Sequence, residues 1–336
     1  MRFAVLHHLE SGPDAAASAV YDEVAEQVRL ADELGFETAW VAEHHFAATK
    51  GRAPFPLLLL THLAGRTRKI RLGTAVLPAP FYQPIRLAES IAMADVLMGG
   101  RLDCGISSSG VPDEMRIFNV PQDGKHDQLR DILLWLRRAW SGEAVQVPNA
   151  TASDAPTVTI VPLPLQRVED MVWVAASTPG AAEVAGALGH HLLLPSLRPP
   201  SVSAANLAIY RNALAAAGVS LSSRHIQCTL HLILNEDHTA AMQMAAPVAR
   251  FYYERYVANG SVQRLEDESL GAIMARINFV AGGPEAVAEQ ITAIAEALSL
   301  THVALQARLI GLPHIDTMRA LELAMTRVAP LLRTEP

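Results

Sequence analysis

Three pairs of adjacent histidines, His7-His8, His44-His45 and His190-His191, hold the densest chemistry in this chain, with Glu43 directly before the second pair. Imidazoles titrate near neutral pH and ligate transition metals, so proton transfer and metal binding are the two chemistries to weigh. Spacing disfavours a metal. Neighbours on an extended backbone point to opposite faces, and no H-E-x-x-H helix or close Cys/His set accompanies the pairs. For His190-His191 it suffices that one ring is packed and the other solvated. Glu43 and His44 read either as an acid/base pair or as polar residues beyond a strand. Gly105-Ile106-Ser107-Ser108-Ser109 misses the G-x-S-x-G elbow at its fifth place, which argues against a serine hydrolase. At Ala176-Ser177-Thr178-Pro179-Gly180 a strand ends, two hydroxyls follow, and a helix opens with proline where a missing N–H is tolerated. Such a start offers free amides to an anion, and N-capping by Ser177 or Thr178 is compatible with that.

These residues must be positioned by the elements around them. Apolar runs predict strands over Arg2–His7, Phe36–Ala42, Ile70–Leu77, Arg101–Ile106, Met171–Ala176, His191–Leu194, Ile226–Leu234 and His302–Leu305. Helical spacing fills the intervals, as in Ala17–Leu34, Ile85–Met98 and Pro284–Leu298. The strands are continuously apolar, as parallel strands buried on both faces must be. Unbroken βα alternation without a linker predicts an α/β fold with one domain over 1–336, a single (β/α)8 TIM barrel. The doubly wound alternative would want G-x-G-x-x-G after the first strand, where HHLESGP stands. Two stretches, 141–164 and 259–278, read as insertions, the second polar enough to be mobile. In such a barrel chemistry sits just past the strands' C-terminal ends. Those positions are His7, His8, Glu43 to His45, Thr74 to Val76, Ser107 to Ser109, Ser177, Thr178, Pro195, Ser196, Asn235 and Gln306.

Composition narrows the classes. A net charge of −7 leaves no electrostatic footprint for nucleic acid or an anionic membrane. Cys104 and Cys228 are too few for a disulfide framework or a thiolate metal site. The run Phe55–Leu60 is far short of the roughly 20 apolar residues of a membrane span. The opening MRFAVLHH shows no secretion signal, so a cytoplasmic protein is expected.

Gly35-Phe36-x-x-x-Trp40-x-x-Glu43-His44-His45-Phe46 is the sharpest pattern, followed by Leu72-Gly73-Thr74-Ala75-Val76, Gly100-Arg101, Trp140-Ser141-Gly142 and Gly282-Gly283-Pro284-Glu285-x-Val287. With these, essentially the full chain resembles the bacterial luciferase-like flavin monooxygenases, nearest the aldehyde-oxidising branch. The resemblance implies an enzyme taking reduced FMN from a separate reductase and using O2 to oxidise an apolar or aldehyde-like small molecule through a C4a-peroxyflavin. His44 matches the catalytic histidine and Glu43 its acidic neighbour. Ala75 and Val76 match a pair joined by a cis peptide against the flavin ring. Ser107, Ser108, Ala176, Ser177, Thr178, Gly180 and Ala181 match cofactor-binding positions; no metal is implied. Family members commonly pair through helices near the early strands, and helix Ile85–Met98 is apolar around much of its girth, so a homodimer is expected. This chain has Ser107-Ser108 where the luciferase branch has Cys-Arg, and Ser177 in place of a glutamate. Lys125, His126 and Arg130 are the cations available to replace the missing charge. Two other readings remain: an F420-dependent oxidoreductase of the same family, and a non-catalytic flavin-binding or partner subunit.

Overall fold

The computed structural model describes residues 1–46, 49, 51–108, 111–148 and 156–332. Ser109, Gly110 and the centre of the 141–164 stretch lie outside the described residues. Eight parallel strands close into a barrel: Arg2–His7, Thr38–Val41, Arg71–Pro78, Leu102–Ser107, Val172–Ala175, His191–Leu194, Ile226–Leu234 and His302–Gln306. The first strand pairs with the last, Arg2 opposite His302, and His191–Leu194 closes on Ile226–Leu234. Their side chains meet either the barrel interior or the surrounding helices, so both faces are apolar. Proline opens the helices Pro56–Ala64, Pro84–Leu97, Pro179–Ala187 and Pro284–Leu298, where its fixed φ suits the first turn and its missing N–H costs nothing. Gly35 ends the first helix in the left-handed region at φ 84°.

The barrel interior explains one glycine. Trp40 and Trp173 fill it edge to face, ring centroids 5.4 Å apart. A Cβ on Gly73 would stand 2.2 Å from Trp40 Cε3, so the neighbouring strand gives up a side chain to admit the indole. Trp40 Nε1 donates to Gln227 Oε1 at 3.0 Å, joining opposite sides of the barrel.

Two expectations are corrected. The 259–278 stretch is packed: Ser269 caps a helix at Leu270–Arg276, and Val262, Ile273, Met274 and Ile277 bury against Tyr252, Tyr253 and Tyr256. A strand the sequence reading missed, Phe279–Gly282, then pairs with residues 231–234 of the long seventh strand. The few apolar residues of 259–278 stand among charges and carry no visible period; they are buried because the helix His238–Ala258 supplies the matching tyrosine face. His190 and His191 are both buried, whereas one was expected in solvent. His191 enters a ring cluster with Trp173, His225 and His302, all centroid spacings between 4.7 and 5.9 Å. The 141–164 stretch contains a short antiparallel pair, Val145–Gln146 with Thr157–Val158. No described helix is long and apolar enough to cross a membrane.

Candidate active site

The C-terminal ends of the strands surround a cavity of about 260 Å³. One wall is apolar, made by Leu6, Ala75, Val76 and Leu193. The other carries hydroxyls and a cation: Ser107, Ser108, Ser177, Thr178, Ser196 and Lys125. Ala75 and Val76 are available because the third and fourth strands lose register between Thr74 and Leu77, and the Ala75–Val76 peptide is cis, as the resemblance implied. Gly105 is required beside them, since a Cβ there would lie 2.0 Å from Thr74 O.

The helix start behaves differently from a simple cap. Thr178 occupies the N-cap position, yet its side chain caps no amide; its Oγ1 meets His126 Nε2 at 3.0 Å. Capping by Thr178 is therefore corrected: the first-turn amides of Pro179–Ala187 are not taken by it. Gly180 lies directly under His126, where a Cβ would come within 2.6 Å of Nδ1. Ala181 reaches the cavity, while Ala176 is fully buried behind it. Of the three cations considered, only Lys125 lines the cavity. Arg130 is drawn to Asp127 and Asp131 on its own helix, and His126 is occupied by Thr178. Burial and the Lys125 charge push the His126 imidazole below its ordinary range.

The Glu43-His44-His45 run splits between two sides, as alternation along an extended backbone requires. Glu43 does not meet His44. Its Oε1 accepts from His45 Nε2 at 3.0 Å and its Oε2 accepts the Tyr82 hydroxyl. Burial raises the Glu43 carboxyl above the usual glutamate range, opposed by those two donors. His45 then packs edge-on to Phe118 at 4.8 Å. His44 turns the other way: its Nε2 meets His8 Nδ1 at 3.0 Å, and its Nδ1 lies 4.0 Å from Glu114 Oε1. Glu114, on the short helix Pro112–Ile117, also accepts from the His45 amide at 3.2 Å. His8 lines the cavity, and burial followed by the nearby His44 holds its imidazole well below the ordinary range. His7, its neighbour, is buried and does not reach it. Asn235 and Gln306 also stay out of the cavity. Asn235 lies beyond a strand that runs long and accepts from the Asp237 amide, and Gln306 is buried. Sequence reasoning missed Glu114, on a short helix, and Tyr82, in the connection after the turn Ala79–Phe81, neither marked by a motif. A cavity with one apolar wall, one hydroxyl-and-ammonium end and a paired imidazole can hold a planar anionic cofactor and move protons beside it.

The family model for luciferase-like monooxygenases matches residues 1–301. This chain belongs to that family. A relative, the oxygenase component of a flavin-dependent trigonelline monooxygenase from Acinetobacter baylyi, is 29% identical over 283 residues, 81% of this chain and 78% of its own. An F420-dependent glucose-6-phosphate dehydrogenase from Kineococcus radiotolerans is 26% identical over 90% of both chains. Among solved structures, the monooxygenase RslO1 from Streptomyces bottropensis superposes with a TM-score of 0.88 at 28% identity, covering 98% of this chain and 99% of that one. The luciferase-like family thus contains both flavin monooxygenases and F420 enzymes, and the barrel is common to them.

Proposed function

We propose that this luciferase-like chain is the oxygenase of a two-component, FMN-dependent monooxygenase acting on an apolar or aldehyde-like molecule. The observation that carries the reading is a cavity that joins an apolar wall at Ala75–Val76 to a cationic, hydroxyl-rich end at a helix start. The residues fit FMN. The apolar wall accepts a ring system, and Lys125 with the first-turn amides of Pro179–Ala187 accepts a phosphate. Ser107, Ser108 and Ser177 add hydroxyl donors where the family's luciferase branch uses larger groups. Reduced FMN, when bound, supplies the activation of O2. The protein's part is to keep water off the cavity wall and to hold protons at the His8–His44 pair, with Glu43 bracing the opposite side of the strand end through His45 and Tyr82. Reduced flavin comes from a separate reductase, in keeping with a relative named as an oxygenase component. With both cysteines free and buried, a cytoplasmic setting suits the chain. A homodimer would cover Leu58, Met93 and Leu97, each more than half exposed on the neighbouring helices Pro56–Ala64 and Pro84–Leu97.

Anaerobic titration tests the reading. Reduced FMN should saturate the cavity and reduced F420 should not. Admission of air should then restore oxidised-flavin absorbance more slowly than in free reduced FMN. Tighter F420 binding would transfer the chain to hydride-transfer chemistry, and FMN binding with unaltered reoxidation would make it a binding subunit. His44→Ala should lower turnover by about 10² to 10⁴, the usual worth of a positioned acid/base group, with flavin binding retained.

A further inference from the structure

We infer that Glu114, His44 and His8 form a proton relay whose cavity end is His8, so that His44 exchanges protons with the bound molecules through it. The inference rests on the reading of the cavity as the flavin site. Of the two paired imidazoles His8 lines the cavity, and His44, bonded to it, faces Glu114 with its other nitrogen. The ring centroids are 5.2 Å apart with planes 21° from parallel, and Nδ1 of one is 3.0 Å from Nε2 of the other. That combination is an edge-to-edge N–H···N bond; face-to-face stacking would bring the centroids closer.

Glu114 acts on His44 by its charge, since its carboxylate stands beyond hydrogen-bond reach of Nδ1. Glu114 is almost fully buried, and its Oε1 lies 4.0 Å from His44 Nδ1. This favours the proton on His44 Nδ1 and leaves Nε2 as an acceptor. His8 Nδ1 must then be the donor, which leaves His8 Nε2 as the unprotonated base. Backbone holds the pair together. A Cβ on Gly51 would stand 2.2 Å from His8 O and 3.3 Å from His44 Cβ, and Gly51 has φ +146°. His44 N also donates to Ala53 O at 3.4 Å.

The relay balances. A proton leaving a bound molecule joins His8 Nε2, and the proton on His8 Nδ1 passes to His44 Nε2. The positive charge ends on His44, beside Glu114. It does not rest on His8, because burial first, and then His44, His231, Arg255 and His7, disfavour a charge there. Return of the proton reverses each transfer.

Nitrogen-15 NMR of histidine-labelled, flavin-free protein gives a test independent of turnover. Protons are expected on His44 Nδ1 and His8 Nδ1, with both Nε2 atoms bare, and His44→Gln should raise the His8 titration midpoint. The opposite tautomers, or an unmoved midpoint, would overturn the relay. Kinetics supply the second arm. His8→Asn keeps an amide donor near the Nδ1 position and removes the Nε2 base. It should preserve the His44 tautomer and reduced-FMN affinity while lowering kcat about 10²-fold or more and abolishing the acid limb of the pH profile. Wild-type turnover in His8→Asn would show that His8 merely orients His44 and would refute the relay. Failure of the wild-type protein to bind reduced FMN would instead remove the flavin reading, leaving the tautomers as a separate result.

Discussion

Burying His190 without a partner should make the fold acid-labile, by an amount that one substitution can isolate. The ring is fully buried at the entrance to the sixth strand, and neither nitrogen has a hydrogen-bond partner among the described residues. Burial, and then the Arg137, His191 and Arg224 charges, lower its pKa from 6.5 to about 3. A folded-state pKa depressed below the unfolded value gives stability that is complete above pH 6.5 and is lost as pH falls toward 3. Between about pH 7.5 and about pH 5.5 the unfolded imidazole passes from mostly neutral to mostly charged while the native one stays neutral, a loss of about 1.4 kcal/mol. His190→Leu, close in volume and apolar, removes that site at a cost or gain of less than about 1.5 kcal/mol at the upper pH. Urea unfolding followed by tryptophan emission at both pH values should show the variant losing about 1.4 kcal/mol less stability than wild type. Equal losses would refute the reasoning, because they would mean that His190 either charges in the native state or finds a partner there. His7, His191 and His302 are lowered to about 3 in the same way, so the wild-type slope itself should be steep.

Gly73→Ala should destabilise the fold by about 1 to 3 kcal/mol, the usual cost of overpacking, seen as a lower melting temperature with altered Trp40 emission; an unchanged melt would show that the indole can move aside. Lys125→Met should weaken reduced-FMN binding by about tenfold, in line with loss of a charge-assisted hydrogen bond, and should blunt its salt dependence in fluorescence titration. Equal affinity for both proteins would place the phosphate elsewhere. Light scattering should give twice the chain mass, and Leu58→Glu with Met93→Glu should return it to a monomer; a wild-type monomer would contradict the covered-face argument.

Much of the architecture could be read from the residues alone. Strands buried on both faces are continuous apolar runs, and His191–Leu194 and Ile226–Leu234 were delimited without error. The extra strand Phe279–Gly282 escaped because four residues beside a glycine pair carry no period of their own. The Glu43-His44-His45 run marked the site, but a sequence shows neighbours along the chain and not across a barrel. Hence Glu43 was set beside His44, when the alternating backbone turns it toward Tyr82. His8 stood among the positions beyond a strand end, yet its bond to His44 joins residues 36 apart. Lys125 was one of three possible cations, and its place at the first position of the helix Lys125–Ala139, beside the cavity, separates it from Arg130 further along the same helix.

The indole of Trp40 also has a consequence for how this protein can diverge. It occupies the room that Gly73 leaves on the adjacent strand and is tied to Gln227 across the barrel, a residue that forms part of the cavity wall. None of the three can drift independently: a larger residue at 73 calls for a smaller one at 40, and that change releases the amide at 227. Neutral substitutions at the barrel floor must therefore arrive in sets, while the hydroxyl-bearing loop residues above can change one at a time. Lineages built on this plan would inherit the floor as a block and acquire new substrates from the rim.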